Sequence, residues 1–295
     1  MISIIITSYK EPRTIGKAIE SFLEQKIKEK YELLVVCPDE LTIKVIKKYV
    51  KKYPQVKHIL DEGRGKSAAL NKVIKIAKGD VLILSDGDVF SAENSVNKIS
   101  EQFKDNNTGC VSGHPLPQNP RDNLFGYWSH LLCYAAHKLR EKRAKQGKFL
   151  ECSGYLWAFR NKIIKKFPEN IAEDMIVPIL FFLKNYKIKY SPEARVYVKF
   201  PDNLQDFIKQ KRRAIASHET LYKFQTNLKI PRMKTLFNEI SGSLIVLSYP
   251  KTLKEVFYTM LLFPIRLYIW LNLFYNTKIR KKYYKDAWQP IKSTK

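Results

Sequence analysis

Short apolar runs with little polar alternation recur through the first hundred residues, at Ser3–Thr7, Glu32–Cys37, Val56–Leu60 and Val81–Leu84. Runs rich in Ile, Val and Leu suit strands buried on both faces of a parallel sheet. Between them, Thr14–Gln25, Thr42–Lys52 and Lys66–Ala77 carry apolar residues at helical spacing, as Ile15, Ala18, Ile19 and Phe22 illustrate. The alternation predicts βαβ units with right-handed crossovers, hence an α/β fold with a doubly wound, mostly parallel sheet flanked by helices. In such sheets ligands sit beyond the carboxyl ends of the strands. That rule singles out four polar loops: Ser8–Pro12, Pro38–Glu40, Asp61–Lys66 and Ser85–Val89.

Beyond Asp105 the pattern is mixed. Thr108–Gly113 reads as a strand, after which Pro115, Pro117 and Pro120 are expected to break the chain. Leu124–Arg140 reads as a long helix running into the basic stretch Lys138–Lys148. Strands are expected at Cys152–Arg160 and Lys187–Lys199, and helices at Glu173–Lys184 and Leu204–His218. Ile240–Leu247 is apolar, and Val256–Tyr275 has the roughly 20 residues needed to span a bilayer. Arg266 near its centre costs about 2.5–3.5 kcal/mol on insertion scales, and Pro264 adds a kink. Lys251, Glu255, Thr259 and Arg266 share one helical face, so a hydrophobic but amphipathic helix, interfacial or bundled, is expected over a simple span. The following Lys278, Arg280, Lys281, Lys282 and Lys285, interleaved with Tyr283, Tyr284 and Trp288, suit the anionic cytoplasmic leaflet of a cell membrane.

Composition narrows the class. The 295 residues are 45% apolar and 13% aromatic, with only 11 Gly and 14 Pro; this excludes disordered and collagenous chains. Cys37, Cys110, Cys133 and Cys152 form no CxxC pair, so a reduced protein is expected. The chain opens into Ile2–Thr7 with no charged leader, and no signal peptide is expected. A net charge of +25 fits nucleic acid, an anionic membrane or polyanionic small molecules such as nucleotides. No helix-turn-helix, zinc-finger or RRM-type signature supports nucleic acid, and the carboxylates at the loop tips oppose it. None of the five histidines stands at metal-ligand spacing, His130 and His137 being seven residues apart.

The sharpest local signal is Ser85-Asp86-Gly87-Asp88-Val89, directly after an apolar run. Two carboxylates spaced in this way at a strand end suit a hard divalent cation, Mg²⁺ or Mn²⁺, which in turn neutralises a diphosphate. Arg64-Gly65-Lys66 opens the third helix, where backbone N–H groups and two cations make an anion site.

These segments together resemble the family-2 glycosyltransferases. Ile4–Pro12 is similar to the family's opening strand and loop, and Asp39 to the acidic residue after its second strand. Gly63–Asn71 resembles its glycine–lysine–alanine–asparagine segment, Asp86-Gly87-Asp88 its D-x-D, and Glu173-Asp174 the acidic pair supplying its catalytic base. The resemblance covers about the first 220 residues. It implies a GT-A fold and inverting transfer from a nucleotide-diphospho-sugar such as a UDP- or GDP-sugar to a lipid-linked or glycan acceptor. Residues 1–225 are then the catalytic domain, and 226–295 a C-terminal, membrane-associating helical region.

In this frame Thr7, Tyr9, Glu11 and Asp39 are expected to line the base and ribose of the donor. Gly65, Lys66, Asn71 and Asp86 complete the donor site, and Asp86 with Asp88 holds the metal. Asp174 is the expected base and Glu173 the alternative, since adjacent carboxylates cannot both face one centre. Tyr155 and Trp157 are candidates to stack on a sugar ring. Gln210-Lys211-Arg212-Arg213-Ala214 resembles the Q-x-x-R-W motif of processive synthases, with Ala214 where Trp is expected. Gln210 and Arg213 are candidate acceptor or diphosphate contacts. A processive polysaccharide synthase of the same family is the alternative reading.

Overall fold

The computed structural model describes residues 1–169, 171–220, 233, 235, 238, 239, 242–280 and 291–294. Eight strands form one sheet: β1 (Ile2–Thr7), β2 (Tyr31–Val36), β3 (Val56–Ile59), β4 (Val81–Asp86), β5 (Val89–Ser91), β6 (Thr108–Pro117), β7 (Leu156–Arg160) and β8 (Lys187–Val198). Their order is β3-β2-β1-β4-β7-β6-β8-β5. The β1–β2, β1–β4, β2–β3 and β6–β8 pairings are parallel, and β4–β7, β6–β7 and β5–β8 are antiparallel. The parallel half matches the four runs that the apolar pattern predicts. Its strands are buried on both faces, Ile2, Ile4 and Ile6 packing on one side and Ile5 on the other.

Helices α1 (Ile15–Leu23), α2 (Glu40–Lys52) and α3 (Lys66–Val73) follow β1, β2 and β3. In α1 the predicted stripe Ile15, Ala18, Ile19 and Phe22 is the buried face. Asp39 caps α2 by accepting from Thr42 N at 3.0 Å, and Lys51 and Lys52 sit in its last turn. The later helices are α4 (Ser95–Ser100), α5 (Leu124–Lys145), α6 (Glu173–Leu183), α7 (Leu204–Thr220), α8 (Ser243–Leu247) and α9 (Leu253–Phe274).

Two expectations are corrected here. Pro115 and Pro117 do not end the strand: β6 runs through both. Pairing with β7 stops at Ser112, whereas pairing with β8 continues from His114 to Pro117. One edge of that stretch therefore makes no ladder, and the missing N–H groups break no pair there. The strand expected from Cys152 begins only at Leu156, so Cys152–Tyr155 is a loop at the sheet end.

A third core forms where Tyr127, Trp128 and Leu131 of α5, Phe207 and Ile215 of α7, and Leu262, Ile269 and Leu273 of α9 meet. The boundary expected between 225 and 226 lies outside the described residues, as do Lys281, Lys282, Tyr283, Tyr284, Lys285 and Trp288 of the basic tail. All four cysteines are free and buried.

The sequence gives no hint that His114 and His137 stack, ring centroids 4.3 Å apart and 10° between planes. Burial, followed by the His137 neighbour, pushes His114 down to about 4, and burial lowers His137 as well. The unfolded chain, with His near 6.5, thus binds protons that the folded chain refuses. Stability from this pair is complete above pH 6.5 and declines as the pH falls toward 4. Melts across that window should show a falling Tm, with a shallower slope in His114→Gln; an identical slope refutes the assignment.

Candidate active site

The register aligns Thr7 at the end of β1 with Asp86 at the end of β4. Thr7 Oγ1 donates to Asp86 Oδ1 at 2.9 Å, and Gly87 N donates to Thr7 O at 2.9 Å. The turn between the two carboxylates is pressed onto the β1 loop, where Ser8 Oγ donates to Glu11 Oε2 at 2.8 Å. A Cβ on Gly87 would run into Ser8 Oγ and Glu11 Oε2. Glycine is therefore dictated at the centre of Asp86-Gly87-Asp88 by close approach. Gly87→Ala is expected to cost about 1–3 kcal/mol from overpacking and to shift the loop bearing Tyr9 and Glu11. A thermal melt checks it; an unchanged Tm contradicts it.

Tyr9 is half-buried on that loop, and Lys10, with φ of 56°, turns the chain there. Lys10 N donates to Asp39 Oδ2 at 2.6 Å, and Glu11 N to Thr42 Oγ1 at 2.9 Å. Asp39 thus joins the β1 and β2 loops as well as capping α2. Burial alone would raise its carboxyl; the N–H groups of Lys10 and Thr42 and the Thr42 hydroxyl outweigh burial and hold it below the usual range.

The centre of the site is Lys66, in the first turn of α3. Its Nζ lies 2.7 Å from Asp86 Oδ1 and 2.7 Å from Glu173 Oε1. Gly65, the residue before it, has φ of 121°, a backbone position that suits glycine. Burial would lower the Lys66 ammonium, but Asp86 and Glu173 more than compensate and hold it well above the usual lysine value. Burial raises the Glu173 carboxyl, with Asp174 adding to it and Lys66 opposing. Glu173 is 6% exposed, whereas Asp174 is half-buried beside the loop before β7. A Cβ on Gly154 would stand 2.8 Å from Asp174 Oδ2, so this glycine keeps space at that carboxylate.

Helix α3 also holds the approach to α6. Asn71 Nδ2 donates to Phe167 O at 3.0 Å and Phe167 N donates to Asn71 Oδ1 at 2.6 Å; Ser67 Oγ donates to Ile171 O at 3.4 Å. The Asn71 amide thus clamps the backbone at Phe167. Arg64 pairs with Glu62 at 2.7 Å on the surface. Trp157 departs from its expected place: it is fully buried in the sheet core, stacked on Phe159 at 5.3 Å, with no face open to a sugar. Tyr155, by contrast, lies within electrostatic reach of Asp86, Asp88 and Arg213, and burial raises its hydroxyl. Ser85 Oγ donates to Tyr155 O at 3.0 Å, tying that loop to β4. Arg213 is exposed on α7, and Gln210 Oε1 is buried.

Asp86 and Asp88 are both half-buried. Among the described residues no group of three or more His, Cys, Asp or Glu converges on a cation position. Two carboxylates fit the way Mg²⁺ is commonly held, by one or two side chains with substrate phosphate oxygens and water completing the shell.

Carboxylates grouped at the strand ends of a GT-A sheet define a glycosyltransferase-type site. The chain belongs to Glycosyl transferase family 2, whose profile matches residues 3–167. Poly-beta-1,6-N-acetyl-D-glucosamine synthase of Staphylococcus epidermidis is 26% identical over 259 residues, covering 82% of this chain and 61% of that protein. The chain thus spans about three fifths of the length of that relative. Among solved structures, the mannosyltransferase PcManGT from Pyrobaculum calidifontis, in complex with GDP-Man and Mn²⁺, superposes with a TM-score of 0.65. It is 17% identical and covers 95% of this chain and 87% of its own. S. aureus TarS 1-349 in complex with UDP-GlcNAc has a TM-score of 0.51 at 18% identity, covering 84% and 71%. These likenesses show the GT-A fold.

Proposed function

We propose that the protein moves a sugar from a nucleotide-diphospho-sugar, a UDP- or GDP-sugar, to a hydroxyl of a lipid-linked or glycan acceptor, with inversion at the anomeric carbon. The observation that carries this reading is the bridge Asp86–Lys66–Glu173, which draws the D-x-D and the acidic pair of α6 together. Lys66 engages Glu173, so Asp174 is the member of that pair positioned to take the acceptor proton as general base. Thr7 sets Asp86, and Tyr9, Glu11 and Asp39 form the wall for the base and ribose. Asp86 and Asp88 would hold Mg²⁺ or Mn²⁺, which supplies charge neutralisation of the departing diphosphate. Tyr155 and Arg213 flank the acceptor and diphosphate side, where a guanidinium fork suits phosphate oxygens.

Melting the protein with a panel of nucleoside diphosphates, with and without Mn²⁺, tests this. A ligand at a hundred times its Kd adds about 2.7 kcal/mol, a rise of several degrees. We expect UDP or GDP to produce it with Mn²⁺ and Asp88→Ala to remove the metal-dependent part; no shift with either nucleotide sinks the reading.

A second reading, a processive polysaccharide synthase, is favoured by the name of the staphylococcal relative, whose match takes in 82% of this chain. Ala214 in place of the Trp of Q-x-x-R-W opposes it. Product length separates the two: one sugar per acceptor supports the first, a ladder the second.

A further inference from the structure

Helix α9 is built inside out. Leu253–Thr277 is long and apolar enough to cross a membrane by length and composition. Yet its polar side chains are the ones turned toward the protein. Arg121 meets Glu255 through two bonds, Nε–Oε1 at 2.8 Å and Nη2–Oε2 at 3.0 Å. Tyr127 Oη and Thr259 Oγ1 are 2.7 Å apart. Arg266 donates to both oxygens of Glu239, at 2.5 and 2.7 Å, and Trp270 Nε1 donates to Glu239 Oε2 at 2.8 Å. The opposite side is apolar and open: Leu253, Phe257, Met260, Leu267, Leu271 and Phe274 are between 55% and 89% exposed. At 1.5 Å per residue this open strip is about 33 Å long, far more than the scattered apolar residues of an ordinary surface.

We infer that the protein docks on an anionic lipid bilayer through this outer face, with α9 lying in the plane of the membrane surface rather than crossing it. Charge selects the occupant. Between residues 243 and 280 the sequence holds one acid, Glu255, which Arg121 neutralises, against Lys251, Lys254, Arg266, Lys278 and Arg280. Once Arg266 has paired with Glu239, the exposed Lys251, Lys254 and Arg280 leave a cationic rim at both ends of an apolar strip. A bilayer with anionic headgroups answers both parts at once. A second copy of the chain would bring like rims together, which opposes self-association through this face.

The clamps also decide against a span. Lipid all round α9 would require Glu255, Thr259 and Arg266 to leave partners that satisfy them, and burying them unpaired in hydrocarbon is costly. Docking in this orientation puts the crevice close to the membrane. Helix α7 packs on α9 through Phe207 and Ile215, and its Arg213 is within electrostatic reach of Tyr155 at the site. One helix, about 10 Å across, thus separates the two; on the glycosyltransferase reading, this favours the lipid-linked acceptor.

Co-sedimentation with vesicles of phosphatidylcholine alone, and of phosphatidylcholine mixed with phosphatidylglycerol, is the test. The wild-type chain should bind the mixed vesicles in a salt-sensitive way. Leu267→Glu and Leu271→Glu, both on the exposed side, should each weaken binding roughly tenfold or more. Failure of the wild type to bind, or equal binding by both variants, overturns the proposal. So does a lipid-free dimer that these variants convert to monomer. Mn²⁺-dependent binding of UDP or GDP, measured on the same variants, reports fold and site independently. Its loss in every form, wild type included, would count against the catalytic reading while leaving the vesicle result to stand.

Discussion

Asp174→Asn is expected to lower sugar transfer by about 10²- to 10⁴-fold, the usual contribution of a positioned general base, while nucleotide binding persists. Asn keeps the size of the side chain beside Gly154 and removes its negative charge, and with it the capacity to accept a proton. Glu173→Gln should behave differently, because Glu173 is the partner of Lys66 and is 6% exposed. It should lose stability as well as activity. Single-turnover transfer by the two variants, read beside Mn²⁺-dependent binding of the nucleotide, separates the roles. If Asp174→Asn transfers at the wild-type rate, the base is misassigned.

Lys66→Met should be the most destabilising single change in the site. It leaves the buried carboxylate of Glu173 without its cation, and removing one partner of a buried ion pair costs about 3–5 kcal/mol. The loss should shrink in acid. Burial and Asp174 already raise the Glu173 carboxyl, so without Lys66 it protonates as the pH falls and sheds the unpaired charge. The double variant Lys66→Met/Glu173→Gln should then recover much of the lost stability at neutral pH. Urea melts of the four members of this cycle measure the coupling. Additive losses would mean that the bridge is weak.

How much of this was legible beforehand differs from element to element. The four parallel strands and their helices could be read because burial on both faces forces continuous apolar runs, and α1 packs through one stripe. Asp86-Gly87-Asp88 could be read because a strand end imposes the place of both carboxylates. Pro115 and Pro117 misled because a proline ends a strand only where its N–H is needed, and pairing on β6 is one-sided there. Trp157 misled because β7 is buried on both faces, so an aromatic there packs in a core whichever side it takes.

The sequence by itself determined the local chemistry: the buried strands, the loops at their carboxyl ends, and the acidic residues that stand out in a chain of charge +25. It also determined that α9 carries one polar stripe. Only the tertiary structure decided what those groups meet. Lys66 turned out to bridge two carboxylates, the farther of them 107 positions from it in sequence, Asn71 to clamp a backbone, and the polar stripe of α9 to face inward. The physical reason is common to all three. Local propensity and periodicity depend on neighbours in sequence, whereas the pairing of a charge or an amide depends on which surfaces the fold brings within about 3 Å.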